Sequence, residues 1–238
     1  FNSDGLLASG SGDKTIKLWD TSTMTCFGTL EGHTGCVNSV AFNPDGKLLA
    51  SGSGDKTIKL WDISTMTCVK TLEGHTNVVL SVAFNTSGML VSGSRDRTIK
   101  LWDISTMTCV KTLEGHTNWV YSVAFNTSGM LASGSCDNTI KLWDVATMTC
   151  VRSLEGHTNW VCSVAFNTSG MLASGSGDNT IKLWDVATMT CVRTLKGHTD
   201  FVNSVAFNTY GMLASGSGDK TIKLWDISTK NCIKTLTS

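Results

Sequence analysis

Short hydrophobic runs and polar turns alternate along the whole of this chain. In residues 33–72, the run Val37–Phe42 is largely apolar, which predicts a short strand buried on both faces. The Asn-Pro-Asp-Gly segment at Asn43–Gly46 ends this strand, because these residue types favour tight turns. Helices are not expected, since Gly, Ser, Thr and β-branched residues occur in every window.

Three further strands are predicted in the same segment. Ile58 and Leu60 alternate with Lys59 and Trp61, so the two aliphatic side chains lie on one face of their strand. A polar, glycine-containing hairpin turn at 52–56 precedes this strand. The predicted strands are Leu48–Ser51, Thr57–Trp61 and Cys68–Leu72.

The segment SGSGDKTIKLWD at 9–20 returns almost unchanged through the chain. Its Trp-Asp pair recurs after 42 residues once and after 41 thereafter, at 19/20, 61/62, 102/103, 143/144, 184/185 and 225/226. Such a fixed period is typical of folds built from one repeated unit. A single four-stranded sheet leaves two apolar faces uncovered, so the units are expected to stack in a line or in a circle. A line requires polar end units, which neither terminus has, and closure into a circle is favoured.

The repeated unit resembles the WD-repeat β-propeller family over the whole chain, through its Gly-His, Val-x-Ser-Val-Ala-Phe, Ser-Gly-Ser-x-Asp and Leu-Trp-Asp segments. The resemblance implies an all-β fold, a β-propeller of four-stranded antiparallel blades in a single domain. The first blade lacks Gly-His and the inner strand, since Phe1 aligns with Phe42. We therefore expect a piece of a seven-bladed ring, or a six-bladed ring without one inner strand, within a larger multidomain protein or complex. The expected blades are 1–31, 32–73, 74–114, 115–155, 156–196 and 197–238.

Charge and cysteine content narrow the expected partners and compartment. Lys plus Arg and Asp plus Glu both number 19, and no apolar run is long enough to cross a bilayer. We therefore expect neither a nucleic-acid nor a membrane partner. The nine cysteines contain no Cys-x-x-Cys pair, so neither disulfides nor a zinc site are expected. We therefore expect the cysteines to be buried thiols of a protein in a reducing, cytoplasmic compartment. Six of them occupy one position of the repeat: Cys26, Cys68, Cys109, Cys150, Cys191 and Cys232.

Five repeats carry a His, a Ser, an Asp and a Trp at fixed offsets. A Ser-His-Asp set suggests nucleophilic catalysis, but five copies suit a structural hydrogen-bond network better, since Trp, Ser, His and Asp can satisfy one another. The resemblance implies the same structural tetrad. We therefore expect no enzyme activity, no metal site and no cofactor. The sets are His33, Ser51, Asp55, Trp61; His75, Ser92, Asp96, Trp102; His116, Ser133, Asp137, Trp143; His157, Ser174, Asp178, Trp184; and His198, Ser215, Asp219, Trp225; the first repeat keeps Ser9, Asp13 and Trp19.

Three positions vary while most others are constant. The residues three and five positions after the His share one strand face, and the third variable residue precedes the turn Asp. The family resemblance implies that all three lie on the top face around a central channel. The three sets are Cys36, Val78, Trp119, Trp160, Phe201; Asn38, Leu80, Tyr121, Cys162, Asn203; and Gly12, Gly54, Arg95, Cys136, Gly177, Gly218.

The varying residues indicate a non-catalytic scaffold or recognition module that binds a protein or peptide. Trp, Tyr and Arg dominate interface hot spots, and an exposed apolar patch usually marks a partner site. In another interpretation, Trp119 and Trp160 plug the channel mouth as extra core. Two other functions stay open: a glycan-binding propeller that stacks sugars on its aromatic residues near Asn118 and Asn159, and a designed repeat scaffold without a natural ligand.

Overall fold

The computed structural model describes residues 1–2, 4–229 and 231–237. In this part of the chain there are 23 strands in six antiparallel sheets and no helix. No described helix could therefore cross a bilayer. The predicted all-β fold of β-propeller blades is confirmed, and so is the three-stranded first blade. The chain divides into two compact units of three blades each, Phe1–Gly115 and His116–Ser238, and the assignment of one domain over 1–238 stays a prediction.

The first unit contains blades 1 to 3. Within each complete blade the strands pair in chain order. The first strands of neighbouring blades within a unit contact one another, so the first strand is innermost and the fourth is an outer edge. Blade 1 consists of β1 Leu6–Gly10, β2 Ile16–Asp20 and β3 Thr25–Leu30. Blade 2 consists of β4 Val37–Phe42, β5 Leu48–Ser53, β6 Ile58–Asp62 and β7 Thr67–Leu72. Blade 3 consists of β8 Val79–Phe84, β9 Leu90–Ser94, β10 Ile99–Asp103 and β11 Thr108–Leu113.

The second unit contains blades 4 to 6, with the same strand order. Blade 4 consists of β12 Val120–Phe125, β13 Met130–Ser135, β14 Ile140–Asp144 and β15 Thr149–Leu154. Blade 5 consists of β16 Val161–Phe166, β17 Leu172–Ser176, β18 Ile181–Asp185 and β19 Thr190–Leu195. Blade 6 consists of β20 Val202–Phe207, β21 Leu213–Ser217, β22 Thr221–Asp226 and β23 Asn231–Thr237.

The core of each unit lies between neighbouring blades. In blade 2, Ile58 and Leu60 are fully buried against blade 3, whereas Trp61 on the opposite face packs against blade 1. This confirms the predicted two-residue alternation of β6. We call the Ile/Leu side the trailing face and the Trp side the leading face. Burying one such aliphatic side chain stabilises the fold by about 1.5–3 kcal/mol, so blade-on-blade packing supplies much of the stability.

The same packing recurs in the second unit. The trailing face of blade 4 receives Val161, Val164, Leu172 and Trp184 of blade 5. The trailing face of blade 5 receives the four equivalent residues of blade 6, which are Val202, Val205, Leu213 and Trp225. Each leading face therefore contributes two valines from the inner strand, a leucine from the second strand and the tryptophan of the third.

The prediction that the inner strand is buried on both faces is wrong. In β4, Val37 is 5% exposed, but Asn38 is exposed and the following residues are half-buried. In β8, Val79 and Val82 are buried under the trailing face of blade 2, and the residues between them are half-buried. Burial follows from contact with the preceding blade, which covers only part of the inner strand.

A second-strand glycine makes the close approach of neighbouring blades possible. A Cβ atom added to Gly52 would lie 2.7 Å from a methyl carbon of Val79 and 3.1 Å from one of Val82. The same holds for Gly134, where the methyl carbons of Val161 and Val164 would lie 2.7 and 3.1 Å away. These glycines therefore leave the space that the inner-strand valines of the next blade occupy, and we call this space the glycine seat.

The glycine seat predicts a position-dependent effect of one substitution. Gly134→Ala should destabilise the chain by about 1–3 kcal/mol, the usual cost of overpacking a core. Gly216→Ala, at the same position of blade 6, should have little effect, because its Cβ would meet no atom within 4 Å. Thermal unfolding followed by circular dichroism measures both variants, and equal melting temperatures would contradict the assigned role of the seat.

Candidate functional site

The five His-Ser-Asp-Trp sets each form one continuous hydrogen-bonded network. In blade 4, the Trp143 indole Nε1 donates to the Ser133 hydroxyl oxygen at 2.9 Å. The Ser133 Oγ lies 2.7 Å from His116 Nε2, and His116 Nδ1 lies 2.7 Å from an Asp137 carboxylate oxygen. The sets of blades 2, 3, 5 and 6 repeat these distances to within 0.1 Å.

Each network joins three separate parts of a blade. His116 lies in the loop before the inner strand, Ser133 on the second strand, and Trp143 on the third. Asp137 lies in the turn between the second and third strands, where its carboxylate also accepts hydrogen bonds from the backbone N–H of Thr117 and Thr139. The network therefore fixes the loop and the turn at one end of the blade relative to the buried tryptophan.

Protonation in the network follows from burial and hydrogen bonding. Burial would raise the pKa of Asp137, but hydrogen bonds from His116 and Thr139 outweigh it and lower the pKa overall. Burial lowers the pKa of His157, against the opposing effect of Asp178. A carboxylate beside Nδ1 places the proton of a neutral imidazole on Nδ1, so Nε2 accepts a hydrogen bond from the serine hydroxyl.

In this arrangement the tetrad serine is poorly placed to act as a catalytic nucleophile. Ser133 is 0% exposed, so a substrate cannot reach its hydroxyl in the folded chain. The hydroxyl oxygen already accepts the Trp143 N–H. In blade 1, Trp19 donates to Ser9 at 2.9 Å and Asp13 caps its own turn through Thr15, without a histidine.

The variable residues of the sequence lie at this same end of each blade. The carbonyl oxygen three residues after the His accepts the backbone N–H of the residue before the turn Asp. The five pairs are Gly54 to Cys36, Arg95 to Val78, Cys136 to Trp119, Gly177 to Trp160 and Gly218 to Phe201, at 2.8–2.9 Å. The residue three positions after the His and the residue before the turn Asp are therefore hydrogen-bonded to each other. The residue five positions after the His lies on the inner strand, which begins four positions after the His.

Blades 4 to 6 place aromatic side chains at this end. Trp160 and Phe201 are each 38% exposed. The Trp160 ring lies over Gly177, since a Cβ there would be 2.6 Å from its Nε1, and Phe201 similarly lies against Gly218. In blade 4, the rings of Trp119 and Tyr121 pack edge to face with centroids 6.3 Å apart, and both side chains are half-buried.

Two cysteines lie among these aromatic residues. Burial raises the pKa of Cys162 to about 11, and the nearby Cys136 and Asp178 add to the rise. Burial also raises the pKa of Cys136. Both thiols therefore stay protonated at neutral pH and contribute no charge to this surface.

One polar residue of this surface was missed by the sequence reasoning. Asp200 is half-buried beside Phe201, and its carboxylate accepts the Phe201 backbone N–H at 2.8 Å. Asn118 and Asn159 make the same contact to Trp119 and Trp160 in blades 4 and 5. The signal was present, because the position two residues after the His changes from Asn to Asp in the last repeat.

The prediction that the six repeated cysteines are buried is wrong. All six thiols are exposed, and so is that of Cys36. Each of the six repeated Sγ atoms lies 3.4–3.7 Å from the carbonyl oxygen two residues later. They lie on the outermost strand of their blade, which has one unpaired edge facing solvent. All nine cysteines are free, and no group of three or more metal-ligating side chains occurs in the described part of the chain.

A tetrad histidine is expected to stabilise the fold. His116→Ala leaves the buried Ser133 hydroxyl and the Asp137 carboxylate without a shared partner, which should cost about 1–3 kcal/mol. Ser9→Ala in blade 1 is the control, since this half-buried hydroxyl belongs to no complete tetrad, and it should cost less. Thermal denaturation compares the two variants, and an unchanged melting temperature for His116→Ala would contradict a stabilising role.

The lowered pKa values predict that acid destabilises the chain. His33 and His157 have pKa values below 6.5 in the folded chain because burial disfavours the charged ring, so the unfolded chain binds their protons first. Their contribution is present above pH 6.5 and lost as the pH falls below it. The lowered pKa of Asp137 removes further stability below about pH 4. The melting temperature should be level between about pH 7 and pH 8 and fall towards pH 4. A melting temperature that rises as the pH is lowered from about 7 to about 5 would be incompatible.

Comparison with known proteins agrees with this architecture. The family model described as "WD domain, G-beta repeat" matches residues 1–20, 24–62, 66–103, 107–144, 148–185 and 189–226. The chain is 53% identical over 45 residues to ribosome assembly protein 4 of Chaetomium thermophilum. This match covers 19% of this chain and 9% of that protein. It is 50% identical over 46 residues to nuclear distribution protein PAC1 of Arthroderma benhamiae, covering 19% and 10% of the two chains.

A third relative is a Lissencephaly-1 homolog of Branchiostoma floridae, 56% identical over 41 residues, or 17% of this chain and 10% of that protein. The matched segments thus span about a tenth of each relative's length. The family model, in contrast, matches most of the chain in six consecutive segments. The chain therefore belongs to the WD domain, G-beta repeat family.

Proposed function

We propose that this chain is a non-catalytic interaction module that binds a protein or peptide through the aromatic face of blades 4 to 6. This face comprises Trp119, Tyr121, Trp160, Asp200 and Phe201. The observation that carries the proposal is the 38% exposure of both Trp160 and Phe201 at equivalent positions of neighbouring blades. Large aromatic side chains grouped on a surface are typical of partner sites and hot spots.

The rigidity of the surrounding backbone supports this proposal. Each contact strand is tied to the adjacent turn by a backbone hydrogen bond, such as Gly177 N–H to Trp160 C=O at 2.9 Å. The turn itself is held by a buried tetrad, here through Asp178 and His157. A surface ordered before binding loses less conformational entropy when the partner docks.

The chemistry of the aromatic face favours a particular kind of partner. Trp160 and Phe201 offer flat apolar surface for an aliphatic or aromatic anchor. Asp200 adds a carboxylate beside Phe201, whereas the Cys162 thiol stays uncharged because burial raises its pKa. We therefore favour an extended peptide segment with an apolar anchor next to a lysine or arginine.

Other variable residues are further candidate contacts, each within its own unit. In blades 2 and 3 these are Cys36, Asn38, Val78, Leu80 and Arg95, and in blades 4 to 6 Cys136, Cys162 and Asn203. Asn38 has a second role, since its amide donates to the Val79 carbonyl oxygen at 2.9 Å and links two inner strands. Ribosome assembly protein 4, one of the relatives, is named for an assembly process, which agrees with a role in a larger complex.

The glycan-binding alternative has less support. A sugar stacked on Trp160 needs hydrogen-bonding side chains beside the ring. The side-chain oxygen of Asn159 already accepts the Trp160 backbone N–H, and its side-chain amide donates to the Gly177 carbonyl oxygen. The side-chain oxygen of Asn118 likewise accepts the Trp119 backbone N–H. The cytoplasmic location and the absence of catalysis stay predictions.

Selection of a random peptide library against the chain tests the proposal. The selected peptides should carry an apolar anchor and a basic residue. Trp160→Ala and Phe201→Ala should each weaken their binding about 30-fold, which corresponds to the roughly 2 kcal/mol of a hot spot. Tyr210→Ala is the control, because this side chain is 94% exposed in the turn between β20 and β21 of the same blade. Peptides that bind all three variants equally would contradict the proposal.

A further inference from the structure

Blade 6 leaves its trailing face open. In blades 2, 4 and 5 the equivalent isoleucines Ile58, Ile140 and Ile181 are fully buried under the next blade. In blade 6, Ile222 is 48% exposed and Leu236 is 40% exposed. The same residue types in the same positions therefore form a core surface in one place and a solvent-exposed apolar surface in the other.

The glycine seat of blade 6 is open as well. A Cβ added to Gly52, Gly134 or Gly175 would lie 2.7–2.8 Å from a methyl carbon of a valine on the next inner strand. At Gly216 nothing lies within 4 Å. The backbone of blade 6 thus keeps the shape that accepts a valine side chain.

A groove of about 410 Å³ lies along this face. Asn203, Ser204, Gly216, Ile222 and Leu236 are among the residues that line it. Asn203 and Ser204 are exposed and correspond to two residues that bind the next inner strand in blade 2. There, the Asn38 amide donates to the Val79 carbonyl oxygen at 2.9 Å.

The serine of this pair makes the second contact in blades 2, 4 and 5. The Ser39 hydroxyl oxygen accepts the Val82 backbone N–H at 3.1 Å, and Ser122 and Ser163 do the same for Val164 and Val205. The groove of blade 6 therefore combines an apolar floor, a glycine seat and two polar side chains that suit the backbone of an incoming strand.

We propose that the trailing face of blade 6 is a docking groove for the inner strand of a further WD-type blade outside residues 1–238. The docking strand has the pattern Val-x-Ser-Val-Ala-Phe. Its first valine occupies the space above Gly216, and its second valine covers Ile222. Ser204 accepts the backbone N–H of that second valine. The pattern is specific because a polar residue at either valine position would be buried against methyl groups without a hydrogen-bond partner.

A synthetic peptide of residues 74–88, GHTNVVLSVAFNTSG, is the probe, because it contains the inner strand that covers blade 2. Labelled with a fluorophore and titrated with the full chain, it should show saturable binding by anisotropy. A peptide with Val79→Thr and Val82→Thr should bind about tenfold more weakly or not at all. Absence of saturable binding by the unmodified peptide would overturn the proposal.

Gly216→Val locates the site on the chain. An added Cβ at this position meets no atom of the chain within 4 Å, so the variant should fold normally, yet its side chain fills the seat and should lower peptide affinity at least about tenfold. Gly12→Val is the matched control, since this glycine also has no atom within 4 Å of an added Cβ and lies in a turn of blade 1. Ile222→Asn should weaken binding as Gly216→Val does. Undiminished binding by both Gly216→Val and Ile222→Asn would overturn the proposal even if the peptide binds elsewhere, for instance on the aromatic face.

Discussion

A four-stranded sheet with two apolar faces gains most of its stability in water when these faces are covered, and this packing of one blade on the next is the constraint on which the structure depends. Ile58 and Leu60 of blade 2 are fully buried because Val79, Val82 and Trp102 of blade 3 cover them. The glycine seats allow this approach. Any change in these residues alters a contact between blades, which explains why they are nearly identical in the repeats that contain them, five for the valines and six for the others.

The tetrads solve a second problem that the packing creates. The tryptophan of each leading face is buried with an indole N–H that needs an acceptor. Ser133 provides it for Trp143, and His116 and Asp137 extend the chain of hydrogen bonds to the loop and turn at the end of the blade. Burial of a polar group thereby becomes a means of fixing the loops that carry the variable residues. The features that resemble a catalytic triad thus serve to position a surface.

The sequence predicted the strand positions of residues 33–72 to within two residues, because turn residues and a two-residue alternation mark them clearly. It also identified the residues that meet in the tetrads. It failed for Cys68 and the other thiols of the outer strands, which are exposed. The sequence of a strand shows its alternation, but burial depends on which neighbour covers each face. For the same reason, the open face of Ile222 could not be predicted from a repeat whose other copies are buried.

The repeats separate constant residues that stabilise the blades from variable residues that form the proposed contact surface. The most direct measurement is the urea unfolding free energy of two variants from the same region. A chain with both Trp160→Ser and Phe201→Ser should unfold within about 0.5 kcal/mol of the unchanged protein. Leu183→Ala, which empties a fully buried position between blades 5 and 6, should lose about 2–5 kcal/mol. An equal loss in the two variants would show that the aromatic residues are core, and would contradict the separation.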